Sequence, residues 1–259
     1  MKGAHVYELA YLTRDQTAEV APGSVAVLPI GSLEQHGEHL PLGTDTLLVE
    51  TVARRALRDL ENVVLCPTVP YGFSGHHQFA CALSIRPETL LAVLSELLDS
   101  LVKAGFSRIL VLNGHGGNTE MMNQAIKLAA LEQSIIAACC SYWDLISPAT
   151  GAPGHAGRFE TDLMSAAHPE LVHPSGTGPS EPPLFDRAVM PGLRIERHGE
   201  WQRTGGVTDP PGDGDSNRGE SVIAESVAAL QRCIDAIQAT ALPSGPVTDH
   251  STAIEGETQ

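Results

Sequence analysis

Short apolar runs that alternate with stretches of helical spacing constrain this chain more than any other feature. Residues 24–30 (Ser-Val-Ala-Val-Leu-Pro-Ile) form an apolar run stopped by Gly31, and residues 45–60 then carry apolar side chains at helical spacing. The pattern returns. Residues 63–69 are strand-like, 87–104 are helical with Pro87 near the start, and 108–112 (Arg-Ile-Leu-Val-Leu) read as another buried strand. A helix over 119–132 and an apolar strand over 135–140 complete the alternation. Continuous rather than alternating apolar runs belong to strands buried on both faces, so the expected fold class is α/β, with a largely parallel sheet covered by helices. In such sheets ligands gather where strands end, at the C-terminal edge.

At 259 residues the chain suits one large domain, taken here as residues 1–240. Only 4% of residues are aromatic against 42% hydrophobic, so aliphatic and small side chains must fill the core. Residues 174–215 are dense in Pro and Gly and predict long ordered loops. Helical spacing resumes over 220–240, and 241–259 has the polar composition of a flexible tail. A net charge of -15 opposes attraction to phosphate backbones and anionic lipid, which argues against nucleic acid or membrane as a partner. No run of about 18 apolar residues is present, so a soluble, cytoplasmic protein is expected. Cys66, Cys81, Cys139, Cys140 and Cys233 follow no paired zinc spacing and read as reduced, buried thiols.

Three polar strings carry the chemistry. The first, residues 31–45, follows the first buried strand and holds Glu34, His36, Glu38, His39 and Asp45. On an extended segment Glu34 and His36 point the same way, and Asp45 opens the next helix, where a bridging carboxylate can meet both. Solvated loop charges would explain one histidine but fit the whole set poorly. The second string, Asn113-Gly114-His115-Gly116-Gly117-Asn118, leaves another buried strand; its glycines let backbone approach a ligand, and it lacks the Lys and Ser/Thr of a phosphate-binding loop. The third, residues 154–162, adds His155 and Glu160 at the start of a helix running to Ala167. By itself it is compatible with surface residues.

Together, in this order and spacing, the strings resemble the creatininase family of amidohydrolases, over residues 6–237. Gly205-Gly206-Val207 with Asp209-Pro210 is similar to that family's late segment. The resemblance implies a three-layer α/β/α fold, commonly a homohexamer, and two divalent cations per chain, zinc with zinc, manganese or iron. It further implies that Glu34 and His115 bind one metal, His36 the other, and Asp45 both. Creatininase proper has a Glu where Gly117 stands here, so another carboxylate must close the second site, and Glu160 is the choice. His155 matches the family's acid/base histidine and Trp143 a substrate-covering Trp. His76, Gly116 and Gly117 join Trp143 as expected substrate contacts.

The implied reaction is cleavage of a C–N bond in a small-molecule amide by a metal-bridging hydroxide, with His155 protonating the leaving nitrogen. A second pocket Trp of creatininase is Gly151 here, Glu38 replaces a Pro, His76-His77 replaces Glu-His, and Phe79-Ala80-Cys81-Ala82 replaces Phe-Pro-Gly-Thr. These departures point to a substrate other than creatinine. Deformylation, trimming of a ribosomally made precursor peptide, opening of a lactone and non-catalytic metal or metabolite binding stand as alternatives.

Overall fold

The computed structural model describes residues 7–150, 153–176, 178–179, 181, 183–184, 190 and 193–243. Five strands, β1 (Tyr7–Glu8), β2 (Val25–Ile30), β3 (Val63–Leu65), β4 (Arg108–Asn113) and β5 (Ile136–Ser141), form one sheet in the order β1-β3-β2-β4-β5. Every pairing is parallel. Strand β2 is buried along its whole length because its side chains serve two cores alternately. Val25 and Val27, with Leu110 and Leu112 of β4, enter one core; Ala26, Leu28, Ile30, Ile109 and Val111 enter the other. Helices α2 (Thr44–Leu57), α5 (Arg158–Ala167) and α7 (Ser216–Ala239) cover the first face, and α3 (Pro87–Lys103) and α4 (Thr119–Glu132) cover the second. This is the α/β/α arrangement expected.

The sequence reading and the structure differ in identifiable places. The strand expected over 63–69 stops at Leu65, because Pro67 has no N–H to continue the ladder; only Val69 rejoins, bridging to Ile30. Pro29, inside a central strand, is tolerated for the same reason. Its carbonyl accepts from Val69 N, so its missing N–H faces the gap where β3 has ended. The last helix begins at Ser216 rather than 220. Asp215 caps it through bonds to Asn217 N and Arg218 N, and the helical Gly219 lies where a Cβ would strike the Asp162 carbonyl of α5. Of the five cysteines only Cys66 is buried; Cys81 is exposed, and Cys139, Cys140 and Cys233 are half-buried, the first two because β5 is an edge strand. All five thiols are free. Two elements were not anticipated, the short β1 and α1 (Arg14–Val20). Among the described residues of 174–215 the loops contain one short α-helix, α6 (Glu200–Arg203). Gly151 and residues 244–259 lie outside the described residues.

Strands β2, β4 and β5 end at Ile30, Asn113 and Ser141, which lie in register at one sheet edge. The three segments that follow them carry Glu34 and His36, His115, and Trp143 to a common place.

Candidate metal centre

The first polar string is stitched at both ends. Glu34 N donates to Leu42 O at 2.9 Å, Gln35 N to Cys81 O at 2.7 Å, and Leu83 N to Leu33 O at 2.9 Å. Glu34, Gln35 and His36 are all buried, and the positive φ of Gly37, 67°, turns the chain so that Glu38 faces solvent. His39 is also buried, but its Nε2 lies 3.0 Å from Thr161 Oγ1, away from the cluster. Asp45 sits in the first turn of α2, where the helix dipole favours an anion.

Each Asn of the second string holds the loop that presents His115. Asn113 clasps it from both sides, accepting from His115 N at 3.0 Å and donating to His115 O at 2.8 Å. Asn118 ties the loop to the other strings by donating to Gly31 O at 3.0 Å and accepting from Phe73 N at 3.0 Å. Gly114 and Gly117 are required by contact: a Cβ at the first would lie 2.6 Å from Asp45 O, and at the second 2.2 Å from Phe73 O. Gly116 faces open space.

The third string is strained and clamped. Ala156 adopts φ 53°, a left-handed conformation costing about 1 kcal/mol for a residue with a Cβ. This conformation turns its N–H onto Glu160 Oε2 at 2.6 Å. Thr208 and Asp209, from the late segment, brace the same turn: His155 N donates to Thr208 Oγ1 at 2.6 Å, and Arg158 N to Asp209 Oδ2 at 3.1 Å.

All five expected metal ligands converge. Glu34, Asp45 and His115 form one buried set of three donors, and His36, Asp45 and Glu160 form another, so Asp45 belongs to both. Asp45 Oδ1 is 3.3 Å from His36 Nε2, and Oδ2 is 3.1 Å from His115 Nδ1. A carbonyl can only accept, which sets the tautomers of the two rings in the neutral form that binds a metal. His36 Nδ1–H donates to Glu34 O at 3.0 Å and His115 Nε2–H to Phe73 O at 2.9 Å, leaving His36 Nε2 and His115 Nδ1 with lone pairs toward Asp45. That outward hydrogen bond is the usual support of a ligating imidazole.

A divalent cation fits this donor set. Glu34 Oε1, His36 Nε2 and Asp45 Oδ2 are buried and make no hydrogen bond among the described residues, a costly condition for polar atoms in a folded core. The electrostatics agree. Burial opposes charge on His36 and His115, yet Asp45 and Glu34, with Glu160 beside His36, outweigh it and raise the two imidazoles to about 10 and about 9. Burial alone would lift the Asp45 carboxyl, but His36 and His115 hold it below its usual range. Burial raises Glu34, and carries Glu160 up to about 7. The cluster draws protons onto its imidazoles, and a field of that sign equally favours a metal ion.

His155 is buried beside this cluster. Its Nε2–H donates to Gln35 O at 2.7 Å, and its Nδ1 lies 3.5 Å from Glu34 Oε1. Burial and the neighbouring His36 hold its pKa well below the ordinary imidazole value. A cavity of about 700 Å³ opens over the cluster and is lined by Asp45, His115, His155 and Glu160 together with the expected contacts Trp143, His76, Gly116 and Gly117.

Three participants escaped the sequence reading. Gln35 links the strings, its Nε2 lying 2.8 Å from His77 Nδ1 and 3.0 Å from Gly206 O. His77, fully buried, brings Nε2 to 3.3 Å from Glu34 Oε1. Trp201 of α6 lines the cavity from a stretch with no periodicity to mark it. The histidine pair 76–77 and the Gly-Gly-Val segment were visible as signals, but nothing local in the sequence joins them to Gln35.

A family profile for creatininase, described as creatinine amidohydrolase, matches residues 10–234. The chain is 32% identical over 210 residues to a creatinine amidohydrolase of Pseudomonas putida, covering 69% of this chain and 80% of that protein. It is 35% identical over 179 residues to a mycofactocin precursor peptide peptidase of Mycobacterium tuberculosis, covering 64% and 67%. A solved structure described as "Creatininase Mn" superposes with a TM-score of 0.78 at 26% identity, covering 91% of this chain and 100% of that one. With the profile spanning most of the chain and the superposition covering 91% of it, the chain belongs to the creatininase family.

Proposed function

We propose that this chain, a metal-dependent hydrolase of C–N bonds by family, cleaves a cyclic amide, formamide or related bond at a centre of two divalent cations. The observation that carries the reading is the pair of three-donor sets sharing Asp45. One cation is assigned to Glu34, Asp45 and His115, the other to His36, Asp45 and Glu160. Glu160 thereby supplies the carboxylate that Gly117 cannot, which favours an enzyme over a binding protein with one cation. Imidazole and carboxylate donors suit zinc with zinc, manganese or iron. When bound, the cations supply Lewis acidity that polarises the amide carbonyl and acidifies the attacking water.

The protein's own groups handle the proton. His155 is neutral at working pH, and with Nε2–H committed to the Gln35 carbonyl its Nδ1 is the free base atom. It takes a proton from the attacking water and passes it to the leaving nitrogen, so that an amine departs instead of an amide anion. Gln35 and the Thr208 hydroxyl position that imidazole and its loop. Trp143, His76, Gly116 and Gly117 are assigned to substrate contact.

A single domain over residues 1–240, a homohexamer and a cytoplasmic location complete the proposal, each resting on sequence resemblance or composition. Among the described residues no helix is long and apolar enough to cross a membrane. Hydrolysis of a panel of cyclic ureas, N-formyl compounds and short peptides tests the function. C–N cleavage should disappear on chelation and return with zinc; cleavage that survives chelation, or C–O cleavage alone, contradicts it.

A further inference from the structure

The chain contains two tryptophans, and both line the one cavity above the metal centre. Trp143 follows β5, whereas Trp201 comes from α6, in the Pro/Gly-rich region. In a chain with so few aromatic residues this concentration needs a cause, and core filling is not it, since Trp201 is only half-buried.

The backbone around Trp201 is anchored on both sides. The neighbouring Glu200 is 1% exposed and its carboxylate accepts from Leu184 N at 2.9 Å, Arg197 Nε at 2.9 Å and Arg203 Nη2 at 2.7 Å. The Trp201 carbonyl accepts from Gly206 N at 2.8 Å, which couples α6 to the segment that also touches Gln35. The indole then meets a floor of imidazoles. His77 and His155 stack with centroids 4.0 Å apart at 24°, and Trp201 stands across them, 4.5 Å from His77 at 69° and 5.8 Å from His155 at 88°. His76 closes the corner at 4.7 Å from the indole. The result is a wall of rings beside His155, in a cavity of about 700 Å³, roomy for a ring-bearing substrate.

We propose that Trp201 determines specificity by stacking against the substrate, and that the substrate is a flat amide conjugated to an aromatic ring. A flat π-surface gains over a puckered ring of equal size by offset stacking on the indole, whereas apolar area alone would serve both alike. The proposal deepens the amidohydrolase reading and rests on it for the chemistry, but its test reads binding.

The probes are benzamide and cyclohexanecarboxamide, matched in size and differing in flatness, titrated calorimetrically into the zinc-loaded protein and its W201F and W201L variants. W201L keeps apolar volume without a ring, and thermal melting with metal analysis checks that each variant is folded and loaded. Benzamide should bind the native protein about tenfold more tightly than cyclohexanecarboxamide, W201F should keep most of that preference, and W201L should lose it. Equal binding of the two by the native protein, no binding of either at millimolar concentration, or a preference that survives in W201L would overturn the proposal. Hydrolysis of N-formyl compounds measured in parallel separates the two ideas: a flat-ring preference without C–N cleavage of any amide counts against the hydrolase reading and not against the role of Trp201.

Discussion

Asp45 Oδ2 lies 3.1 Å from His115 Nδ1, joining the first turn of one helix to a glycine-rich loop 70 residues further along the chain. The other oxygen of the same carboxylate faces His36. One side chain therefore belongs to both donor sets, while Glu34 also joins two others, with His36 and His155 and with His76 and His77; under the proposed assignment only the loss of Asp45 strikes both cations.

Asp45→Asn should lose both cations together, because each set falls from three protein donors to two charged or imidazole donors and a weak amide. Metal analysis of the purified variant checks this, with near-zero metal expected and activity down by more than about 10³-fold. Retention of two metals would contradict the shared role. Glu160→Gln, which belongs to one set only, should lose one cation and keep the other.

His155→Asn should leave metal content and fold intact and lower kcat by about 10² to 10⁴-fold, the range of general acid–base catalysis. Single-turnover kinetics beside metal analysis separates this from a ligand defect. Loss of metal in this variant would reassign His155 as a ligand.

Gly117 and Gly116 should respond oppositely to alanine. A Cβ at Gly117 meets the Phe73 carbonyl at 2.2 Å and His115 Nε2 at 2.5 Å, while nothing lies within 4 Å at Gly116. Gly117→Ala should break the Phe73–His115 bond, lowering stability by about 1–3 kcal/mol and weakening metal binding. Gly116→Ala should be close to neutral in stability. Denaturant melts and zinc titrations of the two variants measure the contrast.

Above about pH 7, where His39, His76, His77 and His155, their pKa values lowered chiefly by burial, are neutral in folded and unfolded chains alike, metal-free protein should lose stability as pH rises. His36 and His115 have folded pKa values raised to about 10 and about 9 by the facing carboxylates, so their contribution is complete below the ordinary imidazole value of about 6.5 and disappears as pH climbs toward 9–10. Between about pH 4.5 and 7 the loss from Glu160, raised by burial to about 7, is opposed by the gain from those four histidines. Saturating zinc should reverse the trend over the neutral range, since these donors must shed protons to bind metal. Thermal melts of both forms from about pH 7 to 10 give the two slopes; parallel slopes would rule out competition between protons and metal for the same atoms.

What the sequence made legible follows the physics of each segment. Strands β2 and β4 were readable because doubly buried strands are continuous apolar runs, and Glu34, His36 and Asp45 because so many ligand types follow one such strand. The helix α1 was missed although Thr13 and Gln16 form a capping box, since seven residues with none buried leave almost no apolar period. The start of α7 was hidden by Gly219, a poor helix former present for close contact with α5. Trp201 could not be found locally: its role depends on Glu200 and on the tertiary meeting of α6 with His76 and His77, and loops carry no periodicity to predict from. Glu160, weak in isolation, became strong only when the turn at Ala156 brought it within 3.8 Å of His36.

Metal content of the purified protein, measured by mass spectrometry after reconstitution with zinc, tests the central claim most directly. Two divalent ions per chain, falling to near zero in Asp45→Asn, is the predicted result. One ion or none in the native protein would contradict a centre built from two donor sets joined at Asp45.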